Sequence, residues 1–210
     1  MIAIIDYGMG NLASVRKACA ALDVRAVVTS DPTQIARAKG LIFPGVGAFG
    51  AAMREVKKRR LLDSMVGAIR EDKPFLGLCL GLQLLFESSA EAPGVKGLAV
   101  LPGRVRWLPR RKGLKIPHMG WNQIETVKNK ALRSNPILEG VPDGAFMYFV
   151  HSFYAQPEDS RIVSARTLYG VAFPSMVWNG RRLWATQFHP EKSQRWGLKV
   201  LENFLKVNSC

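Results

Sequence analysis

Three residues of this chain have the types and spacing for nucleophilic catalysis. Cys79 sits between Gly77 and Gly81 in the run Phe75-Leu-Gly-Leu-Cys-Leu-Gly-Leu-Gln-Leu-Leu-Phe-Glu87, an apolar strand that passes directly into a helical pattern. This is the G-x-S-x-G nucleophile elbow with sulfur in place of oxygen. A nucleophile on so sharp a turn occupies strained backbone space, and its neighbours must lack side chains so that strand and helix can approach. Free N–H groups and aligned peptide dipoles at a helix N-terminus favour a thiolate over a thiol there, and the Leu80 amide would point at a developing oxyanion. The competing reading is a buried structural cysteine with two packing glycines.

A thiolate needs a proton carrier, and the chain has three histidines: His118, His151 and His189. His189 follows an apolar run in Leu183-Trp-Ala-Thr-Gln-Phe-His-Pro-Glu191. In extended geometry residues i and i+2 share a side, so Glu191 is expected to orient the imidazole across Pro190. Cys79, His189 and Glu191 then supply nucleophile, base and orienter. His118 and His151 are read as hydrogen-bonded structural residues. Of the other cysteines, Cys19 lies in an apolar helical pattern and Cys210 is the last residue, where chains fray. An odd count without C-x-x-C spacing argues against a disulfide framework and a zinc site, so no metal is expected.

A glycine loop, Phe43-Pro-Gly-Val-Gly-Ala-Phe-Gly50, matches G-x-G-x-x-G. A dinucleotide fingerprint belongs to the first βα turn, with an acid ending the next strand, whereas here the next strand ends at Cys79. The loop is better read as the second half of an oxyanion hole beside the elbow. No cofactor is expected.

These residues need a scaffold. The first half alternates short β-branched runs with helical patterns, predicting strands over Ile2–Asp6, Arg25–Thr29, Gly40–Phe43 and Pro74–Leu78. Helices are predicted over Asn11–Leu22, Pro32–Ala36 and Phe49–Ile69, with Asn11 and Asp31 as caps. Beyond about residue 98 the predicted elements are short strands over Phe146–Val150, Phe153–Ala155, Ile162–Ala165 and Leu183–Gln187, followed by a closing helix, Gln194 to Lys206. The expected fold class is therefore α/β: an open, twisted, mixed and mostly parallel sheet flanked by helices, with an antiparallel extension. Residues 1–210 read as one domain, without repeats, linkers or low-complexity stretches.

Composition narrows the class. Of 210 residues 48% are apolar and 22% charged, which excludes disordered and collagen-like chains. The longest uncharged apolar segment, Pro74 to Phe86, is too short to span a bilayer, and Met1-Ile-Ala-Ile-Ile-Asp6 reads as a strand and not a signal peptide. A membrane partner is not expected, and the cytoplasm is the expected compartment. The net charge is +14, of which Arg54–Arg60 holds +4 and Arg104–Lys115 holds +6. Both segments are candidate contact surfaces or solvated faces. They are also the sole support for a nucleic-acid-binding reading, and since no motif for it accompanies them, no nucleic-acid partner is expected.

Pro44-Gly-Val-Gly47, Gly77-Leu-Cys-Leu-Gly-Leu-Gln83 and His189-Pro-Glu191 together resemble the class I (triad) glutamine amidotransferases. Within that family, Asp6-Tyr-Gly-Met-Gly-Asn11, Ile116-Pro-His-Met-Gly-Trp-Asn122 and Tyr148-Phe-Val-His-Ser-Phe-Tyr154 resemble the glutaminase subunits of imidazole glycerol phosphate synthases. The likeness spans nearly the whole chain. It implies a glutaminase in which Cys79 attacks the glutamine side-chain amide, His189 moves the proton and Glu191 holds His189. It also implies that the amides of Val46, Gly47 and Leu80 form the oxyanion site, and that Gln83, Ser152 and Phe153 hold the α-amino and carboxylate groups. Ammonia would pass to a (β/α)₈ cyclase partner and yield imidazole glycerol phosphate and an aminoimidazole carboxamide ribotide. Asn11, Met119 and Trp121 are its candidate interface residues. An alternative that shares elbow and triad is a stand-alone thiol hydrolase of glutamyl compounds.

Overall fold

The computed structural model describes residues 1–127 and 134–207. Its elements in chain order are β1 (Ile2–Ile5), α1 (Leu12–Ala20), β2 (Ala26–Thr29), α2 (Pro32–Arg37), β3 (Gly40–Gly45), α3 (Phe49–Lys58), α4 (Leu62–Arg70), β4 (Phe75–Cys79) and α5 (Leu80–Leu84). There follow β5 (Phe86–Ser89), β6 (Leu101–Trp107), β7 (His118–Gln123), β8 (Glu125–Thr126), β9 (Phe146–His151), β10 (Phe153–Pro157), β11 (Val163–Leu168), β12 (Ala172–Trp178), β13 (Leu183–Thr186) and α6 (Gln194–Lys206).

Among the described residues, eight strands form one sheet in the order β2-β1-β3-β4-β13-β12-β11-β8. The first five of that order are parallel and the last three are added antiparallel, which is the expected mixed, mostly parallel class. Central strands such as Ile2–Ile5 and Phe75–Cys79 are buried along their whole length because both faces are covered. One apolar cluster holds Phe43, Phe49, Met53 and Leu82; the other, across the sheet, holds Ile42, Leu76, Trp184 and Phe204. Parallel pairing sets the C-terminal ends of β1, β3, β4 and β13 along one sheet edge, so the segments after Ile5, Gly45, Cys79 and Thr186 converge there. Smaller sheets, β10-β6-β5 and β7-β9, lie beside the main one.

Asn11 and Asp31 cap α1 and α2 as expected, accepting from the Ser14 and Thr33 amides. The long helix predicted over Phe49–Ile69 is instead two. Arg60 has φ +57, its amide donates to the Lys57 carbonyl, and the Leu61 amide donates to that of Val56. This is a Schellman stop that buries Leu61 against Val56 without a glycine to announce it. The helix after Cys79 is also shorter than the apolar run implied, giving way to β5 after Leu85. Arg104 and Arg106, read from sequence as part of one basic segment, project from β6, whose alternate residues Leu101, Gly103 and Val105 face inward. Strands β5, β6, β7, β8 and β12 were not among the predicted elements. Cys210 lies outside the described residues.

Candidate active site

β4 delivers Cys79 to the sheet edge, and the backbone there turns to φ +54, ψ −105, a region L residues rarely occupy. The turn depends on contact between backbones: a Cβ on Gly81 would sit 2.0 Å from the Phe43 carbonyl oxygen, and one on Gly77 3.0 Å from the Gly81 oxygen. Both glycines that flank the cysteine are therefore required by sterics. Cys79 opens into a cavity of about 330 Å³ lined by Val46, Gly47, Leu80, Gln83, Glu91, Pro117, Val150, His151, Ser152, Phe153 and His189. All the residues predicted for oxyanion and substrate contacts line this one space.

His189 Nδ1 lies 2.8 Å from Glu191 Oε1, and the two side chains are 3% and 1% exposed. The extended spacer expected between them is absent. Pro190–Lys192 forms a 3₁₀ turn, closed by hydrogen bonds from the Lys192 amide to the His189 carbonyl and from Ser193 to Pro190, and the turn brings the carboxylate back onto the ring. The His189 backbone is fixed at both ends, its amide donating to the Tyr148 carbonyl and its carbonyl accepting from Ser193 Oγ. Burial disfavours charge on the imidazole, but the nearby Cys79 and then Glu191 outweigh it, raising His189 to about 10, while its Nε2 is buried without a hydrogen-bond partner.

Gln83 Nε2 donates to the Phe153 carbonyl (3.0 Å) and to Gln187 Oε1 (3.2 Å), so both its protons are used within the protein and only its Oε1 remains for a ligand. Glu91 was not singled out in the sequence. Its Oε2 accepts from the Phe49 amide at the start of α3 (2.7 Å), leaving Oε1 available at the cavity wall. Tyr7 was likewise overlooked; its hydroxyl is buried without a partner against Gly45, where burial and then the charge of Cys79 hold it above its ordinary range. Glu91 belongs to no local pattern and Tyr7 only to the Asp6–Asn11 run, because each comes near the site through tertiary contact.

His118 and His151 meet each other across the β7–β9 pair, Nδ1 to Nε2 at 3.0 Å. The far ends of this pair decide its tautomers. His151 Nδ1 lies 2.8 Å from the Phe153 carbonyl, which can only accept, and His118 Nε2 lies 3.3 Å from Asn122 Nδ2, which can only donate. Hydrogen bonds thus run in one direction from Asn122 through both rings to Phe153. Burial pushes His118 down to about 4 and His151 to about 3. The outer face of the same ribbon is apolar: Met119 is 63% exposed, Trp121 44% and Phe146 53%. Asn11, the third predicted interface residue, is half-buried and serves as the α1 cap.

Among the described residues no group of three or more His, Cys, Asp or Glu could hold a metal, and no helix is long and apolar enough to cross a membrane. Comparison with known proteins agrees with this geometry. The family model for glutamine amidotransferase class-I matches residues 3–207. The imidazole glycerol phosphate synthase subunit HisH of Desulfitobacterium hafniense is 49% identical over 207 residues, covering 98% of this chain and 94% of the relative. That of Methanothermobacter thermautotrophicus is 49% identical over 207 residues, covering 99% and 98%. A solved glutamine amidotransferase superposes with TM-score 0.76 at 19% identity over the whole of both chains, which speaks for the fold. A cysteine elbow beside a buried His–Glu pair, joined to near-half identity along almost its entire length, means that the chain belongs to the class-I glutamine amidotransferases, in the family of HisH subunits of imidazole glycerol phosphate synthase.

Proposed function

We propose that Cys79, His189 and Glu191 hydrolyse glutamine and that the ammonia released is passed to a cyclase partner, which closes the imidazole ring. One observation carries the reading: a cysteine at positive φ shares one cavity with an imidazole that is buried, carboxylate-paired and held protonated. The thiolate attacks the side-chain amide carbon, and the tetrahedral oxygen takes hydrogen bonds from the amides of Val46, Gly47 and Leu80. Imidazolium N–H protonates the departing nitrogen, the C–N bond breaks, and a glutamyl thioester and ammonia result. Neutral His189 then removes a proton from water, which attacks the thioester and releases glutamate and the thiolate.

Glutamine also carries an ammonium and a carboxylate. The free oxygen of Glu91 suits the ammonium, Gln83 Oε1 can assist it, and Ser152 and Phe153 offer the strand backbone for the carboxylate. Residues 1–210 act as a single domain in this reading, and the exposed Met119, Trp121 and Phe146 face is where the (β/α)₈ cyclase docks. Cys79→Ala in the assembled complex is expected to abolish glutamine-dependent cyclisation while added ammonium still supports it. Retained glutamine turnover would remove the assignment, and glutamine hydrolysis at full rate without any partner would favour a stand-alone hydrolase.

A further inference from the structure

We propose that Gln187 is a positioning residue of the nucleophile, whose side-chain N–H holds the Cys79 sulfur as an aligned thiolate. The inference rests on the role given above to Cys79 and adds a residue to it. Gln187 is fully buried at the end of β13, two residues before His189, with its own amide on the Ser175 carbonyl. Its Nε2 lies 3.7 Å from Cys79 Sγ and its Oε1 accepts from Gln83 Nε2.

The orientation of this amide follows from a group three links away. The Phe153 carbonyl can only accept, so Gln83 must present its NH₂ to it; the second proton of that NH₂ must find an acceptor, which makes the facing Gln187 atom the oxygen; the remaining Gln187 atom, the donor, is then aimed at sulfur. His151 Nδ1–H on the same Phe153 oxygen anchors that end. An amide without exposure is costly unless both its ends are paired, and here the second partner of the pair is the nucleophile.

The position matters because Sγ also lies 3.8 Å from the Val150 carbonyl oxygen, which suits a thiol as donor and repels a thiolate. Gln187 supplies the opposing N–H. The titratable groups around Cys79 are His189 with Glu191 from the turn after β13, Tyr7 from the segment after β1, Glu91 from the segment after β5 and His151 from β9. Among these His189 alone carries a positive charge, and it must surrender its proton during the reaction, whereas the amide of Gln187 keeps its donor throughout.

The test is the pH dependence of Cys79 alkylation by iodoacetamide in the full chain, followed by mass spectrometry of the Cys79 peptide so that Cys19 and Cys210 do not contribute. Gln187→Glu keeps an acceptor for Gln83 and replaces the donor; Gln187→Leu removes both. Each is expected to move the alkylation curve upward by about one pH unit, a tenfold fall in thiolate at a fixed pH below the midpoint. In the complex with its cyclase, Gln187→Glu is expected to lower kcat for glutamine about tenfold with KM within about twofold. Alkylation curves that coincide with wild type, in whichever variant keeps the wild-type melting profile, would overturn the role and leave Gln187 a packing residue. If wild-type Cys79 itself shows no reactive thiolate near neutral pH, or Cys79→Ala still turns over glutamine, the assignment of Cys79 falls and this inference with it.

Discussion

His189 and His151 line one cavity, His118 stands behind His151, and all three side chains are buried, yet the two histidine sites are shifted in opposite directions. His189 is raised to about 10, while His118 and His151 lie near 4 and 3. Burial penalises the imidazolium in all three. The difference is the company: His189 meets the Glu191 carboxylate and lies near Cys79, whereas the other two meet one another, a carbonyl oxygen and a carboxamide. Proximity to the cavity is therefore no guide to chemistry here. A proton carrier needs a charged partner, and a hydrogen-bonded neutral pair serves to hold the backbone, in this case the Phe153 carbonyl that also fixes Gln83.

The contrast is broken most severely by exchanging the two sites' roles. His189→Asn is expected to cost glutamine turnover on the order of 10⁴-fold or more, since members of such a unit fail together. His118→Gln, which keeps a donor and an acceptor, should stay within about tenfold of wild type. Comparable losses for the two variants in a steady-state glutaminase assay would erase the distinction.

A milder and more informative change is Glu191→Gln. Glu191 is one of the groups that raise His189, so its charge removal lets burial reassert itself and the imidazolium lose its proton at lower pH. In the proposed mechanism the leaving nitrogen takes that proton, so activity that declines in wild type as pH rises through about 10 should decline earlier in the variant, with kcat lower by about 10²-fold at neutral pH. An alkaline limb that does not move would detach Glu191 from the proton chemistry.

The neutral site predicts a stability effect of opposite sense. His118 and His151 titrate lower in the folded chain than the ordinary value of 6.5, so between about pH 6.5 and 4 the unfolded chain binds more protons and stability falls as pH falls. Each histidine contributes up to about 1.4 kcal/mol per pH unit across that window. Denaturant unfolding at several pH values should show this slope, and His118→Gln should reduce it by about half. A wild-type stability that is flat over the window would mean that the pair is not held neutral.

Exposed charges should respond least. Neutralising Arg110, Arg111 and Lys112 together leaves catalysis intact and slows association with the cyclase partner, with a flatter salt dependence and little change in dissociation, because exposed charges are screened beyond about 8 Å. Association kinetics across a salt series will show it. Unchanged kinetics would make the cluster a solvated surface, and tight binding of random duplex at physiological salt would reopen a nucleic-acid role.

Much of this was legible before any coordinates. Short β-branched apolar runs located β1 to β4, a period-3.6 apolar face located α6, and side-chain caps announced α1 and α2. The breaks were not legible. Asp23, Arg60 and Asp72 all take φ near +57 just after α1, α3 and α4, where glycine would have signalled a stop, because the following turn of chain is tied back by hydrogen bonds to the helix end. β6 went unseen since its outward residues, Arg104 and Arg106, read as a charge cluster.

At the site the division is similar. Local sequence determined the elbow, since glycines on both sides of Cys79 follow from a chain that must turn within van der Waals distance of itself, and it determined that a carboxylate stands within reach of His189. Which carbonyl or carboxylate meets which imidazole was decided only by the tertiary structure. Glu91 and His151 reach the cavity wall, and Tyr7, Gln187 and His118 the residues behind it, across separations of tens of residues, and no short-range period or spacing encodes such meetings. Charge state followed the same route: it depends on the neighbours that sheet order brings to one edge, and for three buried histidines those neighbours raise one and leave two lowered by burial.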